Sequence, residues 1–142
     1  MKTIIIKSLI LFLFLGIGFL NAKEINDKVS LNGITEAKSV FLIDFTNVRK
    51  TAFYLNIIEG TYKGFVKQNV KPQMVLVFIG ETVKYLSTKQ EEAFEMENEE
   101  YLLSIQNSIK TFSKLNVRME VCAVATEVFK VDNNTIPNEM DI

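Results

Sequence analysis

The chain has 142 residues, which is the size of one domain, and it contains no histidine and a single cysteine. These counts exclude a Ser-His-Asp triad, an imidazole base, a histidine-ligated metal, an intrachain disulfide and a cysteine-rich zinc site. With 16 basic and 17 acidic residues the net charge is −1, which argues against binding nucleic acid through a broad basic surface.

The N-terminal segment 1–22 differs in composition from the rest of the chain. It holds 15 apolar residues, the two lysines Lys2 and Lys7, and no acidic residue. A basic start, an apolar stretch and a small residue before a charged one are typical of a secretory signal peptide, and the predicted cleavage follows Ala22. An uncleaved membrane anchor is the alternative, since the apolar stretch is close to spanning length. We therefore expect a domain at 23–142 that is periplasmic or secreted, or else anchored by its N-terminal segment.

The first part of this domain is predicted to form a strand, a helix and a second strand. The apolar runs Val40–Ile43 and Met74–Ile79 are rich in β-formers and predict strands buried on both faces. Apolar residues recur every three or four positions from Val48 to Phe65, which predicts a helix capped by Thr46 or Asn47. Because a helix links the two strands, we expect them to be parallel.

The remaining residues continue this alternation of helix and strand. The predicted elements are a helical turn at 81–86, a polar segment at 87–98 that is a solvated loop or helix face, a helix capped by Asn98 and ended by a left-handed Asn116, a strand at 118–121, a helix start at 123–129 and a loop-like tail at 132–142. The order β-α-β-α-β-α predicts an α/β domain whose parallel sheet is covered by helices.

Candidate functional residues follow the strands of the predicted sheet. In open parallel sheets, ligands and chemistry lie beyond the carboxyl ends of the strands. Three positions qualify, namely Asp44, Gly80 with Glu81, and Cys122. The carboxylates have a possible acid–base role there, but solvated strand-end carboxylates are the more frequent case.

Cys122 is the strongest nucleophile candidate in the sequence. It lies between a strand end and a helix start, where free backbone N–H groups favour thiolate over thiol. By strand parity it shares a face with Arg118 and Glu120, and Arg118 would add a favourable charge if it lay close. An inert cysteine that serves as a small apolar side chain is an equally good interpretation of the pattern.

Three segments resemble the DsrE-like family of sulfur-relay proteins. The run from Asn116 to Val131 resembles that family's strand-Cys-helix segment, with the cysteine at the strand end and an alanine-rich helix after it. Val75–Val83 is similar to its second strand with a glycine at the exit, and Val48–Phe65 is similar to its first helix. The resemblance covers about residues 38–131.

The resemblance implies a three-layer α/β/α fold, trimers or hexamers, and a cysteine that carries sulfur as a persulfide, with no cofactor. Sulfur donor and acceptor proteins would be its partners. Family members are mostly cytoplasmic and continue past the cysteine helix. We therefore expect either a sheet without its last edge strand or a truncated product in 23–142.

Two functions of different class follow from these observations. The first is an exported sulfur carrier or sulfurtransferase that works through Cys122. The second is a non-catalytic binding or assembly subunit with a structural cysteine, which uses the acidic segment from Glu91 to Glu100 as its contact surface. For either function we expect an oligomer, since the first helix carries the surplus apolar residues Phe53, Tyr54 and Ile57.

Overall fold

A computed structural model describes residues 27–142, so the predicted signal segment lies outside the described residues. Contacts divide the chain into Met1–Ser30 and Leu31–Ile142, and the fold described below is that of the second unit. Its elements are β1 (Glu36–Ile43), α1 (Val48–Lys67), β2 (Lys71–Phe78), a 3₁₀ helix (Gly80–Tyr85), α2 (Glu92–Lys114), β3 (Arg118–Val121), α3 (Ala123–Val128) and a short 3₁₀ turn (Asn133–Thr135).

The sheet has three strands in the order β1-β2-β3, and both pairs are parallel. This confirms the predicted α/β class with a parallel sheet. In the register, Phe41 lies beside Leu76, and Leu76 lies beside Met119. This central row, Phe41–Leu76–Met119, serves below as a reference for positions on the sheet.

Both crossover helices lie on the same face of the sheet. Right-handed crossovers in the order β1-β2-β3 place α1 and α2 side by side, and the two helices contact each other. Alternate strand residues are buried beneath them and form the core with the apolar faces of the helices. The fully enclosed members of this core include Ile43, Leu55, Ile58, Leu76, Phe78, Ile105, Ile109, Phe112 and Met119.

The opposite face of the sheet is open, contrary to the prediction that the first strand is buried on both sides. Val40 is 70% exposed and Leu42 is 59% exposed, whereas their neighbours Phe41 and Ile43 point into the core side. The apolar run of β1 therefore has the alternating exposure of a strand covered on one side only. Within residues 27–142 no helix covers Val40 and Leu42 as a third layer would.

The two crossover helices end in the same way. Asn69 and Asn116 both adopt the left-handed conformation, with φ of 60° and 55°. The next residue is a buried valine, and its N–H bonds back to the carbonyl of Phe65 in α1 or Phe112 in α2. These are helix-ending turns of the Schellman type. The predicted role of Asn116 is confirmed, and Asn69 plays the same role before β2.

The prediction that Asn98 caps the second long helix is wrong. The helix α2 begins at Glu92, and Asn98 lies inside it at a kink with φ of −122°. The side-chain amide of Asn98 donates to the carbonyl of Phe94, and the Phe94 ring stacks on Tyr85 at 6.1 Å between centroids. This contact holds the glutamate-rich segment as helix upstream of the predicted helix start.

The C-terminal tail is also more ordered than the predicted loop. Asp141 forms a parallel bridge with Glu120 at the outer edge of β3: its N–H donates to the Met119 carbonyl, and its carbonyl accepts from Val121. Met140, next to it, is buried in the core. The tail thus supplies the pairing partner that the outer edge of β3 needs.

Candidate functional site

The carboxyl ends of the three strands place Asp44, Ile79 and Cys122 in one row. The register pairs Leu42 with Val77 and Val77 with Glu120, so the next positions of the same parity are these three residues. The sequence prediction that Asp44 and Cys122 lie at one edge of the sheet is therefore consistent with the register. We call this row, together with Gly80 and Glu81, the carboxyl-edge site.

Cys122 occupies the junction between β3 and α3. Its N–H donates to the Phe78 carbonyl at 3.0 Å, which extends the pairing of β2 and β3 by one residue. Its carbonyl accepts from the N–H of Thr126 at 3.0 Å and begins α3. The thiol is free and the residue is half-buried. The backbone of Cys122 is thus fixed at both its N–H and its carbonyl, and the residue packs against the hydrophobic core while staying partly exposed.

Asp44 and Gly80 are in direct contact. Gly80 has φ of +57°, a conformation that glycine adopts readily and other residues adopt at a cost. A Cβ at this position would lie 2.1 Å from the Asp44 Oδ1, well inside van der Waals contact. Two of the sequence-predicted site residues are therefore brought together, and the contact depends on the absence of a side chain at Gly80.

Thr82 is a residue of this edge that the sequence analysis missed. Its buried hydroxyl accepts from the N–H of Phe45 at 2.6 Å and donates to the Phe45 carbonyl at 3.1 Å. The loop after β1 is thereby held against the 3₁₀ helix after β2. A threonine two residues after a strand-ending glycine is a weak sequence signal, because only the fold shows that Phe45 lies beside it.

Glu81 lies in the 3₁₀ helix and pairs with Lys84 at 3.0 Å between Oε1 and Nζ. It also influences Tyr85, which is buried below the same helix. Burial raises the pKa of the Tyr85 hydroxyl above its ordinary value, and the nearby charge of Glu81 raises that pKa further. The role of Glu81 that the structure records is thus electrostatic and local to the 3₁₀ helix.

Arg118 lies at the amino end of β3, four residues before Cys122. At about 3.3 Å per residue this is about 13 Å along the strand. Its guanidinium pairs with the carboxylate of Glu120 on the open face. The recorded partner of the arginine is therefore Glu120 and not Cys122.

Two clefts border α2 and the tail, away from Cys122. They flank the contact in which the Thr135 and Ser87 hydroxyls lie 2.7 Å apart, and their volumes are 610 and 460 Å³. Cys122 lines neither of them. The thiol is thus at a partly open edge of the sheet, outside both of these clefts.

Among residues 27–142, no group of three or more cysteine, aspartate or glutamate side chains is arranged to hold a metal ion. None of the helices in the described part of the chain is long and apolar enough to cross a bilayer. No protein-family model matches the chain, and no curated protein matches it significantly.

Proposed function

We propose that the protein is an exported sulfur carrier that holds sulfur on Cys122 as a persulfide. The observation that carries the proposal is the position of the chain's only thiol, half-buried at the carboxyl end of a parallel strand. The resemblance of the strand-Cys-helix segment to DsrE-like sulfur-relay proteins supports the same function. A carrier of this kind needs one thiol and no resolving cysteine.

Loading and release are two transfers of a sulfane sulfur between thiolates. The Cys122 thiolate attacks the terminal sulfur of a donor persulfide, so that a bond forms to Cys122 Sγ and the donor S–S bond breaks. The donor leaves as a thiolate, and Cys122 holds the S–SH group. An acceptor thiolate then attacks the same terminal sulfur, and the Cys122 thiolate leaves. No net oxidation occurs, and the rate depends on thiolate content and access.

The carboxyl-edge site supplies access and a fixed backbone for these transfers. The hydrogen bonds from the Cys122 N–H to Phe78 and from Thr126 to the Cys122 carbonyl hold the main chain while the side chain accepts a second sulfur. Asp44 lies in the same row and is exposed. We propose that it positions the donor or acceptor at the edge.

Intact mass after treatment with a persulfide donor tests the proposal. The wild type should gain one sulfur, about 32 Da, and lose it again when a reducing thiol is added. Cys122→Ser should show no gain while its circular dichroism stays unchanged. An unmodified wild-type mass, with Cys122 shown to react with a thiol label in the native state, would overturn the proposal.

A binding or assembly subunit with a structural cysteine is the second candidate. It is favoured by the exposure of every glutamate from Glu91 to Glu100, which makes the surface of the first turns of α2 acidic. Thiol labelling separates the two functions. Labelling of Cys122 that becomes measurable only in denaturant would support the binding subunit, and rapid labelling of the native chain would support the carrier.

We further propose that the chain is exported and cleaved after Ala22, because the composition changes abruptly at Lys23. N-terminal sequencing of the exported protein should read Lys-Glu-Ile-Asn-Asp. Recovery of intact Met1 in a washed membrane fraction would show an uncleaved anchor instead.

A further inference from the structure

The open face of the sheet has an apolar centre and a charged border. Its members are Lys38, Val40, Leu42, Gln73, Val75, Val77, Arg118 and Glu120, which alternate with the buried residues of the three strands. The apolar members lie in two neighbouring rows, one on each side of the central row Phe41–Leu76–Met119. Apolar residues grouped in this way on a small domain are typical of a protein contact.

We propose that this open face binds the same face of a second copy of the chain. The two copies would be related by a two-fold axis that runs across the strands, over the central row. Such an axis places each strand on its counterpart in the antiparallel direction and exchanges the rows on either side. An isologous contact of this kind requires that the surface be complementary to itself.

The residues of each strand make the open face complementary to itself. Positions one residue before and one residue after the central row face each other across the axis. On β1 this sets Val40 against Leu42, on β2 Val75 against Val77, and on β3 Arg118 against Glu120. On β1 and β2, apolar residues of one copy therefore face apolar residues of the other. On β3, Arg118 of each copy faces Glu120 of the other, so two pairs of opposite charge form.

The border of the face follows the same rule. Lys38 and Asp44 lie three residues before and three residues after the central row, so Lys38 of one copy would face Asp44 of the other. Both residues are exposed. Packed sheets cross at about 30°, which shifts distant positions most, so the pairs nearest the axis carry the contact. In particular, the intrachain pair of Arg118 and Glu120 would become a network of four charges in the dimer.

The size of the face predicts a weak dimer. Three strands about 4.8 Å apart, of which the longest has eight residues at about 3.3 Å each, give a flat area below about 400 Å² per copy. The two copies together would bury less than about 800 Å², which is below the size of stable interfaces and is found in weak, transient complexes. We expect dissociation in the micromolar range or above, so the test must cover a wide range of concentrations.

Sedimentation velocity on the full-length gene product, as purified under reducing conditions, tests the proposal. The wild type should shift from monomer to dimer as concentration rises. Arg118→Glu and Glu120→Arg should each weaken the dimer roughly tenfold or more, because each places like charges opposite one another. The double swap, Arg118→Glu with Glu120→Arg, should restore the wild-type dissociation constant.

Matched variants separate this face from other surfaces. Lys63→Glu reverses a charge on α1 and breaks the surface pair with Glu59, and it should leave the dimer unchanged. Leu42→Ser should dissociate it, whereas Phe53→Ser on the outer side of α1 should not. Sedimentation is measured without a sulfur donor, which keeps this test independent of the sulfur-carrier proposal.

Several results would overturn the inference. One is a wild-type chain that stays monomeric up to its solubility limit, as expected if other residues of the chain cover the face. A second is an oligomer that Phe53→Ser dissociates and Leu42→Ser does not, which would assign the contact to α1. A third is a double swap that fails to restore the dimer.

Discussion

At the residue scale, Gly80 is the position where backbone conformation and a close contact coincide. Its φ of +57° is unfavourable for any residue with a Cβ, and the Asp44 carboxylate occupies the space that a Cβ would need. The left-handed conformation alone costs a non-glycine residue about 1–2 kcal/mol. Because Asp44 is exposed, its side chain can turn away, so a substitution at Gly80 displaces the carboxylate without unfolding the domain.

We therefore predict that Gly80→Ala lowers the free energy of unfolding by at least about 1–2 kcal/mol, measured by urea denaturation. The loss should be smaller when it is introduced into Asp44→Ala, since the clash is then absent and the two changes are not additive. Gly60→Ala is the matched control. Gly60 lies within α1 with open space around its Cβ position, so this change should stabilise by about 0.5–1 kcal/mol. Equal effects at Gly60 and Gly80 would contradict the structural account.

Tyr85 leads to a second prediction at the residue scale, which concerns the free energy of unfolding at alkaline pH. Its pKa in the folded state is raised above 10.0 by burial and then by the charge of Glu81. Well below pH 10.0 the hydroxyl is neutral in both the folded and the unfolded state. As the pH rises further, the unfolded chain loses this proton first, so the free energy of unfolding falls.

The difference between wild type and Tyr85→Phe isolates this effect. The variant keeps the stacked ring pair with Phe94 and should lose stability less steeply above pH 10.0. Ultraviolet titration of tyrosinate should show one late-ionising group in the wild type that the variant lacks. In Glu81→Gln that group should ionise earlier, though still above its ordinary value, because burial is the larger cause. A late group that persists in Tyr85→Phe would contradict the assignment.

At the element scale, periodicity was sufficient for most of the fold. The parallel strands, the first helix, the 3₁₀ turn and the left-handed Asn116 follow from local patterns. The start of α2 was predicted wrongly, because Asn98 followed by two glutamates has the pattern of a helix start although it lies inside the helix. Its upstream turn is stabilised by the stacking of Phe94 on Tyr85, a tertiary contact that no local pattern contains.

The open face and the Asp44–Gly80 contact could not be predicted from the sequence, because both depend on tertiary packing. A run such as Val40–Ile43 is equally apolar whether one or both sides of its strand are covered. Only the placement of α1 and α2 on one side decides between them. The sequence likewise placed Asp44 and Gly80 at strand ends, but their contact depends on how two loops lie against each other.

The tail gives a prediction at the element scale, because it was expected to be a loop and instead pairs with β3. Met140 is 7% exposed and belongs to the core, so Met140→Ala should lower the free energy of unfolding by about 2 kcal/mol or more. Met96→Ala is the control, since Met96 is 77% exposed on α2, and we expect a change within about 0.5 kcal/mol. Equal unfolding midpoints for both variants in urea would show that the tail does not contribute to the folded core.

At the scale of the whole molecule, Cys122 takes part in both proposals, because the thiol proposed to carry sulfur lies near the proposed dimer contact. The two-fold axis that pairs Arg118 with Glu120 also exchanges positions three residues from the central row. At β3 these positions are Asn116, two residues before the strand, and Cys122, the residue after it. Cys122 would therefore lie at the border of the contact, close to the other copy. A persulfide in the dimer would be shielded from solvent, and the monomer would be the form that exchanges sulfur with donors and acceptors.

This arrangement predicts that the thiol-labelling rate of Cys122 depends on protein concentration. In the wild type the rate should fall several-fold across the range in which sedimentation shows the dimer, because the fraction of exposed thiol follows the monomer. Arg118→Glu, which weakens the dimer, should label at the fast rate throughout, and the double charge swap should restore the slowing. Urea-unfolded chains provide the upper limit of the rate at each concentration. A constant wild-type rate across the monomer–dimer transition would place Cys122 outside the contact, so that the carrier could exchange sulfur in either state.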